Sequence, residues 1–245
     1  MKTDLVDTML SLLNLEPTVE YAILDFGCGT GEFLGRVAGR ISHRSPLVGT
    51  DAMERPILQA RSTYGSIQFR REKFVDSFSF PTATFDIVAS TDALECVPNK
   101  AALLSEVSRI LKPGGRVAFA HWDWDTQVYN SAHKEPMRNL IAAFSDWKQD
   151  WMDDSDGQMG RKLWALLEGS GRFTGSIHCH TRVETTYQEG QYGFDRLRDM
   201  GGLVRTGRIS AADYEMILQE MSHLAQTGEY FYSVNSYIYI GKKLS

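Results

Sequence analysis

The sequence is poor in cysteine and contains no long apolar run. Its three cysteines, Cys28, Cys96 and Cys179, are widely spaced among 245 residues and form no Cys-x-x-Cys pair. This spacing provides neither a disulfide framework nor a zinc-binding motif. No segment approaches the roughly 20 apolar residues of a membrane span, and the first 20 residues include four acidic side chains, unlike a signal peptide. We therefore expect a cytoplasmic protein without membrane contact.

An excess of basic charge is also absent. There are 26 lysines and arginines against 31 aspartates and glutamates, which gives a net charge of −5. Nucleic-acid-binding proteins usually carry a basic excess, because neutralising phosphates supplies much of their affinity. The composition argues against a nucleic-acid partner, and it leaves open whether the chain is a monomer or a homodimer.

The first half of the chain alternates between strand-like and helix-like segments. An amphipathic helix is predicted over residues 3–15. The strand-like segments that follow are residues 21–26, 46–51, 67–69, 85–90 and 116–121, and helical patterns at 31–41, 53–64 and 99–111 separate them. Strands that alternate with helices in this way form βαβ units and a parallel sheet.

The second half begins with an aromatic-rich region. All five tryptophans lie within residues 122–170, where Leu140, Phe144, Trp147 and Trp151 repeat at helical steps. Beyond this first helix, further helices are predicted over 159–169, 191–200 and 210–226, and further strands over 173–180 and 231–240.

We therefore predict one α/β domain over residues 1–245, with a Rossmann-like, seven-stranded, mostly parallel sheet between helices. Its predicted parts are an N-terminal helix (1–20), a core (21–121), a helical, aromatic-rich insertion or lid after strand five (122–170), and a C-terminal part of the sheet with substrate-side helices (171–245).

A glycine loop follows the first predicted strand, in the order Asp25-Phe26-Gly27-Cys28-Gly29-Thr30-Gly31. Such a loop allows a ligand to lie against bare backbone at a helix N-terminus. The dinucleotide fingerprint needs a further glycine at position 32 or 34, where Glu32 and Leu34 stand, and the Lys-Ser/Thr of a P-loop is missing.

Asp51 ends the second predicted strand, about 20 residues beyond the glycine loop. In doubly wound folds an acid at this place binds ribose hydroxyls. The alternative is a helix N-cap ahead of Ala52 and Met53, and the two roles are compatible.

Three motifs together resemble the class I S-adenosylmethionine-dependent methyltransferases. They are Leu24–Gly31 (LDFGCGTG), Gly49–Asp51 and Leu111–Arg116 (LKPGGR). The last is typical of the ubiquinone/menaquinone-methyltransferase-like branch, whose members act on small molecules. The resemblance covers residues 21–121 well and the remainder loosely. It implies S-adenosyl-L-methionine as the cofactor and small-molecule methyl transfer as the activity.

The resemblance also implies cofactor roles for individual residues. Asp25 would orient the methionine amino group, and Asp51 would bind the ribose. Ala52 and Met53 would line the adenine, while Thr91 would lie beside the methionine end. The methionine portion would pass the loop residues Gly27, Cys28, Gly29 and Gly31.

Two positions depart from the family pattern. Lys73-Phe74 stand where many relatives have Gly-Asp-Ala with an adenine-binding aspartate, and we assign the adenine side to this pair. Glu95-Cys96-Val97 replaces the familiar Glu-His-Val, so no histidine base can be assigned to position 96.

The acceptor is expected beyond the ends of strands four and five. His121 is the predicted general base, with a packed strand-end histidine as the alternative. Asp123 is predicted to bind an ammonium group or take a proton, with an exposed turn acid as its alternative. The Asp123-x-Asp125 pair is weak evidence for a cation, and no metal is expected.

Aromatic side chains near these residues form a predicted acceptor box. Trp122, Trp124 and Tyr129 would enclose a flat ring or a cation, and Tyr232 and Asn235 would approach from the other side. The alternative is that the aromatics belong to the core.

The sequence thus predicts methyl transfer to a small aromatic or amine-bearing molecule by direct displacement. A non-catalytic cofactor-binding subunit and a protein methyltransferase remain the alternatives. The motifs typical of DNA-methylating enzymes are missing: Ser90-Thr91-Asp92-Ala93 follows strand four, and no cysteine follows a proline.

Overall fold

The predicted strands form one seven-stranded sheet in the computed structural model, which describes residues 4–244. The strands are β1 (Ile23–Phe26), β2 (Leu47–Asp51), β3 (Gln68–Arg71), β4 (Phe85–Thr91), β5 (Leu111–Tyr129), β6 (Phe173–Glu184) and β7 (Tyr232–Lys243). Their spatial order is β3-β2-β1-β4-β5-β7-β6. Only β7 runs against its neighbours, since it pairs antiparallel with both β5 and β6. The predicted fold class is confirmed.

Eight α-helices connect these strands within residues 4–244: α1 (Leu5–Leu13), α2 (Glu32–Ala38), α3 (Glu54–Thr63), α4 (Lys100–Ile110), α5 (Lys134–Ser145), α6 (Met159–Gly169), α7 (Tyr192–Arg205) and α8 (Ala211–Thr227). Asp4 caps α1 by accepting a hydrogen bond from the Asp7 amide at 2.9 Å. Residue 3, the first of the predicted N-terminal helix, lies outside the described part. No helix within the described residues is long and apolar enough to cross a membrane.

The sheet separates two apolar cores. Alternate residues of β5 point to opposite faces, so Ala118 and Ala120 join one core while Val117 and Phe119 join the other. The first core includes α1, α2, α5, α7 and α8, and the second includes α4 and α6. Because both faces are covered, the central strands are almost continuously apolar.

The strand order changes direction between β1 and β4, which are parallel neighbours. The chain first moves outward from β1 through β2 to β3 and then returns to β4 on the other side. In open α/β sheets the crevice at such a switch point, at the carboxyl ends of the strands, is where ligands bind. The glycine loop after β1, Asp51 at the end of β2 and Asp92 after β4 all lie at this end.

The start of the predicted insertion is wrong. β5 continues to Tyr129, whereas residues 122–129 were assigned to the insertion after strand five. The residues Trp122-Asp123-Trp124-Asp125 alternate with the period of two that is typical of a strand. β7 pairs with this extension of β5 as far as Tyr129, and a bulge interrupts the pairing between Asp123 and Val128.

The first helix of that region also ends earlier than predicted. α5 stops at Ser145, so Trp147 and Trp151 lie in the loop that follows. Trp147 packs against Phe144 with ring centroids 6.4 Å apart, whereas Trp151 is 57 % exposed. The periodic spacing of these residues therefore continues beyond the helix itself.

Candidate functional site

A cavity of about 320 Å³ opens at the carboxyl ends of β1, β2 and β4. It is the natural place for a ligand in this fold. Its walls contain most of the residues predicted to bind the cofactor, namely Gly27, Gly29, Asp51, Ala52, Met53, Lys73 and Phe74. Residues from three separate βα connections therefore meet in one place, as the resemblance implied.

Gly27 and Gly29 serve the cavity in different ways. Both have positive φ angles, +70° and +51°. A Cβ atom on Gly27 would overlap the Cβ atom of Ala93, so this position needs glycine for packing. A Cβ atom on Gly29 would meet nothing within 4 Å. Since Gly29 lines the cavity, that open space is available to a ligand that approaches the backbone.

The carboxylate of Asp51 is fixed by two backbone donors. Oδ2 accepts a hydrogen bond from the Gly29 amide at 3.0 Å, and Oδ1 accepts one from the Met53 amide at 2.8 Å. Met53 is the N-cap residue of α3, and its own side chain makes no capping hydrogen bond. Asp51 is therefore not the N-cap that the alternative proposed, but it binds the amide of the N-cap residue Met53 and ties it to the glycine loop. Each oxygen keeps a lone pair free for a further donor.

The remaining predicted cofactor residues do not line the cavity. Asp25 is buried beside the loop, and its Oδ1 has no hydrogen-bond partner within residues 4–244. Burial, with the nearby charge of Asp51, raises the pKa of the Asp25 carboxyl well above its ordinary value. Cys28 is buried, and a Cβ atom on Gly31 would lie 2.6 Å from the Phe69 ring. Both of these loop residues pack against protein.

Thr91 points away from the cavity. Its hydroxyl lies 3.7 Å from the sulfur of Met9 in α1. Asp92, one residue further, lines the cavity instead and has a left-handed backbone with φ of +59°. The prediction for Thr91 was thus displaced by one residue, because a strand alternates its side chains between the two faces.

Part of the cavity wall comes from the loop between α5 and α6. Trp151 and Asp153 of this loop line the cavity, and neither was predicted to do so. Lys73 forms a salt bridge with Asp153 at 2.6 Å, and Lys100 forms one with Asp154 at 2.9 Å. The other lining residues to which no cofactor role was assigned are Phe26, Thr50, Pro56, Glu72, Phe78, Asp92, Ala93, Cys96 and Val97. Most are apolar or are brought to the cavity only by the fold, so no sequence motif identifies them.

A polar cluster lies next to the cavity, where β4 ends beside the middle of β5. Its members are Asp92, Glu95 and His121, whose potential ligand atoms all lie within 4.8 Å of one another. The short 3₁₀ helix Leu94–Cys96 positions Glu95, which is buried. Burial, reinforced by the charges of Asp92 and Asp156, raises the pKa of Glu95 to about 9.

His121 is fully buried within this cluster. Its Nδ1 lies 2.8 Å from the carbonyl oxygen of Trp122 and 3.3 Å from Oδ1 of Asp92. A carbonyl oxygen only accepts hydrogen bonds, so Nδ1 carries the proton and Nε2 the lone pair. Nε2 has no hydrogen-bond partner in the described part of the chain.

Asp123 does not belong to this cluster. Its side chain points towards α6, where it is fully buried and bound in a bidentate manner by Arg161. Arg161 also lies 3.4 Å from Asp125. The structure therefore contradicts the predicted role of Asp123, because its carboxylate is occupied. The alternative of an exposed turn acid is wrong as well.

The predicted aromatic box is part of the apolar core. Trp122, Trp124, Tyr129 and Tyr232 are each at most 6 % exposed, and none lines the cavity. Trp124 stacks on Tyr192 with an interplanar angle of 11°. Tyr129 donates a hydrogen bond to the Gly193 carbonyl at 2.9 Å, which ties it to α7.

Asn235 is turned towards β6. It accepts a hydrogen bond from the Thr181 hydroxyl at 2.7 Å. In this structure the predicted acceptor box is closed and separate from the cavity, as the core alternative proposed.

Comparison with known proteins agrees with this geometry. Residues 24–119 match the model of a methyltransferase domain family. A 37.1 kDa protein of transposon TN4556 from Streptomyces fradiae is 25 % identical over 96 % of this chain and 65 % of its own length. The ubiquinone biosynthesis O-methyltransferase of Hahella chejuensis is 31 % identical over 40 % of this chain and 42 % of its own length. The chain thus spans less than two thirds of the length of these relatives.

Solved structures share the whole fold. A SAM-dependent methyltransferase of Methanosarcina mazei superposes with a TM-score of 0.55 at 17 % identity, and the match covers 96 % of this chain and 97 % of that protein. The matched residues 24–119 include nearly all of β1, the whole of β2 to β4 and the first part of β5. They also include the glycine loop, Asp51 and the polar cluster except His121. The fold of the chain is thus that of the class I S-adenosylmethionine-dependent methyltransferases, and residues 24–119 match a methyltransferase domain.

Proposed function

We propose that this chain methylates a small molecule, with S-adenosylmethionine as the methyl donor, by direct in-line displacement. The observation that carries the proposal is the cavity at the switch point of the sheet. Its walls contain Gly27, Gly29 and Asp51 together with Asp92. A cofactor that extends along the loop would end beside the polar cluster of Asp92, Glu95 and His121.

The residues present fit the cofactor. The open space beside Gly29 suits a ligand that lies against bare backbone, which a side chain there would displace. Asp51 is held rigidly by the amides of Gly29 and Met53, so its free lone pairs are pre-oriented for ribose hydroxyls. Ala52, Met53 and Phe74 would provide an apolar surface for the adenine.

The protein's main contribution to the reaction would be positioning and exclusion of water. Bound S-adenosylmethionine supplies a methyl group that is already activated on a positively charged sulfur. Correct alignment of two reactants then provides much of the rate. His121 is the predicted catalytic residue that lies at the acceptor end.

The loop between α5 and α6 supports a small acceptor. Trp151 and Asp153 form part of the cavity wall, and Asp153 is joined there to Lys73 by a salt bridge. A protein substrate would need an open groove here, whereas a small metabolite can enter when this salt bridge opens. The O-methyltransferase relative of Hahella chejuensis supports an oxygen acceptor.

A labelled-methyl screen tests the proposal. The purified chain is incubated with S-adenosylmethionine that carries a labelled methyl group and with fractions of a metabolite extract, and products are read by mass. We expect a labelled small molecule that is lost in the Gly29→Val variant. Tight cofactor binding without any labelled product would instead support the alternative, a cofactor-binding subunit. Label on protein substrates alone would overturn the small-molecule acceptor.

A further inference from the structure

The cluster of Asp92, Glu95 and His121 has the composition of a metal site. It combines one imidazole with two carboxylates, the ligand types that bind first-row divalent ions such as Mn²⁺ and Zn²⁺. Ligands at about 2.0–2.6 Å from an ion stand about 3–5 Å apart. The 4.8 Å spread of the three potential ligand atoms lies within this range.

The imidazole of His121 provides a second, independent observation. Its Nδ1 is occupied by the Trp122 carbonyl, so the lone pair on Nε2 is the group that remains. That nitrogen is buried and has no hydrogen-bond partner within residues 4–244. Leaving a buried polar atom without a hydrogen-bond partner lowers the stability of the folded state by about 1–3 kcal/mol. A ligand bound to that atom would remove this cost.

The cluster also lacks a cation of its own. Across the described ranges, neither Asp92 nor Glu95 forms an ion pair with a lysine or an arginine. The nearby Lys100 is already bound to Asp154 at 2.9 Å and to the Val97 carbonyl at 3.0 Å. Two carboxyl groups thus converge on a buried histidine without a lysine or arginine partner, and a divalent ion would supply the positive charge.

We propose that Asp92, Glu95 and His121 bind a divalent transition-metal ion at the acceptor end of the cavity. Asp92 lines the cavity, so the ion's open coordination positions would face the space where the acceptor enters. In this role His121 is a metal ligand and replaces the base predicted from sequence. The ion would hold an acceptor oxygen and lower the pKa of its hydroxyl group. Only this last step rests on the proposed function.

Mn²⁺ binding tests the site directly. Free Mn²⁺ has a six-line electron paramagnetic resonance spectrum that is lost on binding, and Zn²⁺ added afterwards should release it. We expect about one Mn²⁺ per chain, and more than about tenfold weaker binding in Glu95→Gln and His121→Asn, since even outer-shell changes reach that scale. Asp125→Asn and His223→Asn, which remove an exposed acid and an exposed histidine, should bind like the natural sequence.

Thermal unfolding keeps the test decisive if a variant folds poorly. Mn²⁺ should raise the melting temperature of the natural chain and of both controls but not that of Asp92→Asn, which changes the more exposed ligand. Absence of Mn²⁺ and Zn²⁺ binding, or binding unchanged in all three cluster variants, would overturn the proposal. S-adenosylhomocysteine binding is measured on the same samples, so loss of cofactor binding and loss of metal binding are recorded separately.

Discussion

The cofactor half of the site contains the glycine loop and Asp51, and the acceptor half is the region around β5 in which the acceptor was predicted. The two are built on different principles. The cofactor side of the cavity depends on backbone: two glycines with positive φ, and an acid held by the amides of Gly29 and Met53. The region in which the acceptor was predicted depends on side chains from distant segments, such as Trp124 of β5 stacked on Tyr192 of α7 in the apolar core. A glycine loop and an acid bound by backbone amides leave local sequence motifs, whereas packing between distant side chains leaves none.

The largest expected effect separates two glycines of the same loop. Gly27→Ala should lower the free energy of unfolding by about 3 kcal/mol, because it combines a left-handed backbone with an overlap on Ala93. Gly29→Ala should cost about 1 kcal/mol, because only the backbone conformation is unfavourable. Urea unfolding of both variants measures the difference. Equal losses would mean that the loop relaxes freely around Ala93.

The next effect concerns the buried acid of the acceptor half. Arg161→Ala should destabilise the chain by about 2–3 kcal/mol, because Asp123 would remain buried without a partner. The loss is below that of a fully buried pair, since Arg161 is 42 % exposed.

Arg138→Ala is the matched control for this variant. Arg138 forms no ion pair in the described part of the chain, so its removal should leave stability nearly unchanged. If Arg161→Ala abolished methyl transfer at full stability, the structural role that we assign to the Asp123–Arg161 pair would be wrong.

A pH-dependent effect is expected for Asp25. Its folded-state pKa is raised, so the folded chain holds a proton that the unfolded chain releases above about pH 4, and the stability falls as the pH rises. Asp25→Asn removes this titration. Its stability relative to the natural sequence should therefore be greater at pH 7.5 than at pH 4.5, as urea unfolding at the two pH values would show. A difference independent of pH would contradict the raised pKa.

The smallest effect is expected for the Lys73–Asp153 salt bridge in the cavity wall. Lys73→Ala breaks the exposed salt bridge to Asp153 and should change stability by less than about 0.5 kcal/mol. Release of S-adenosylhomocysteine should nevertheless become faster, because Asp153 would be free to move away from the cavity. Stopped-flow measurement of the release rate tests this, and an unchanged rate would show that the salt bridge does not control entry.

The sequence predicted the cofactor half in some detail. The glycine loop and Asp51 were located because each needs one residue type at one position, and both line the cavity. Thr91 was misplaced by one residue, since strand alternation fixes the face but the end of β4 was not known. The loop with Trp151 and Asp153 was missed because it lies roughly 80 residues from Lys73 along the chain.

The acceptor half was predicted less well. Trp122-Asp123-Trp124-Asp125 shows strand periodicity, but its residue types suggested a functional turn. The partner of Asp123 is Arg161, which no local pattern connects to it. His121 was expected at the end of strand five and lies inside β5 instead, and its association with Asp92 and Glu95 required the three-dimensional structure.

The most direct test of the central claim is the affinity for S-adenosylhomocysteine in the natural chain and in Asp51→Ala, measured by calorimetry. The account predicts about 1:1 binding and a loss of about 2–3 kcal/mol in the variant, because the ribose would lose a fixed, charged acceptor. Asp125→Ala, which removes an exposed acid outside the cavity, should bind like the natural chain. Unchanged affinity in Asp51→Ala, or equally strong binding of NADH or ATP by the natural chain, would contradict the assignment of this cavity to the cofactor.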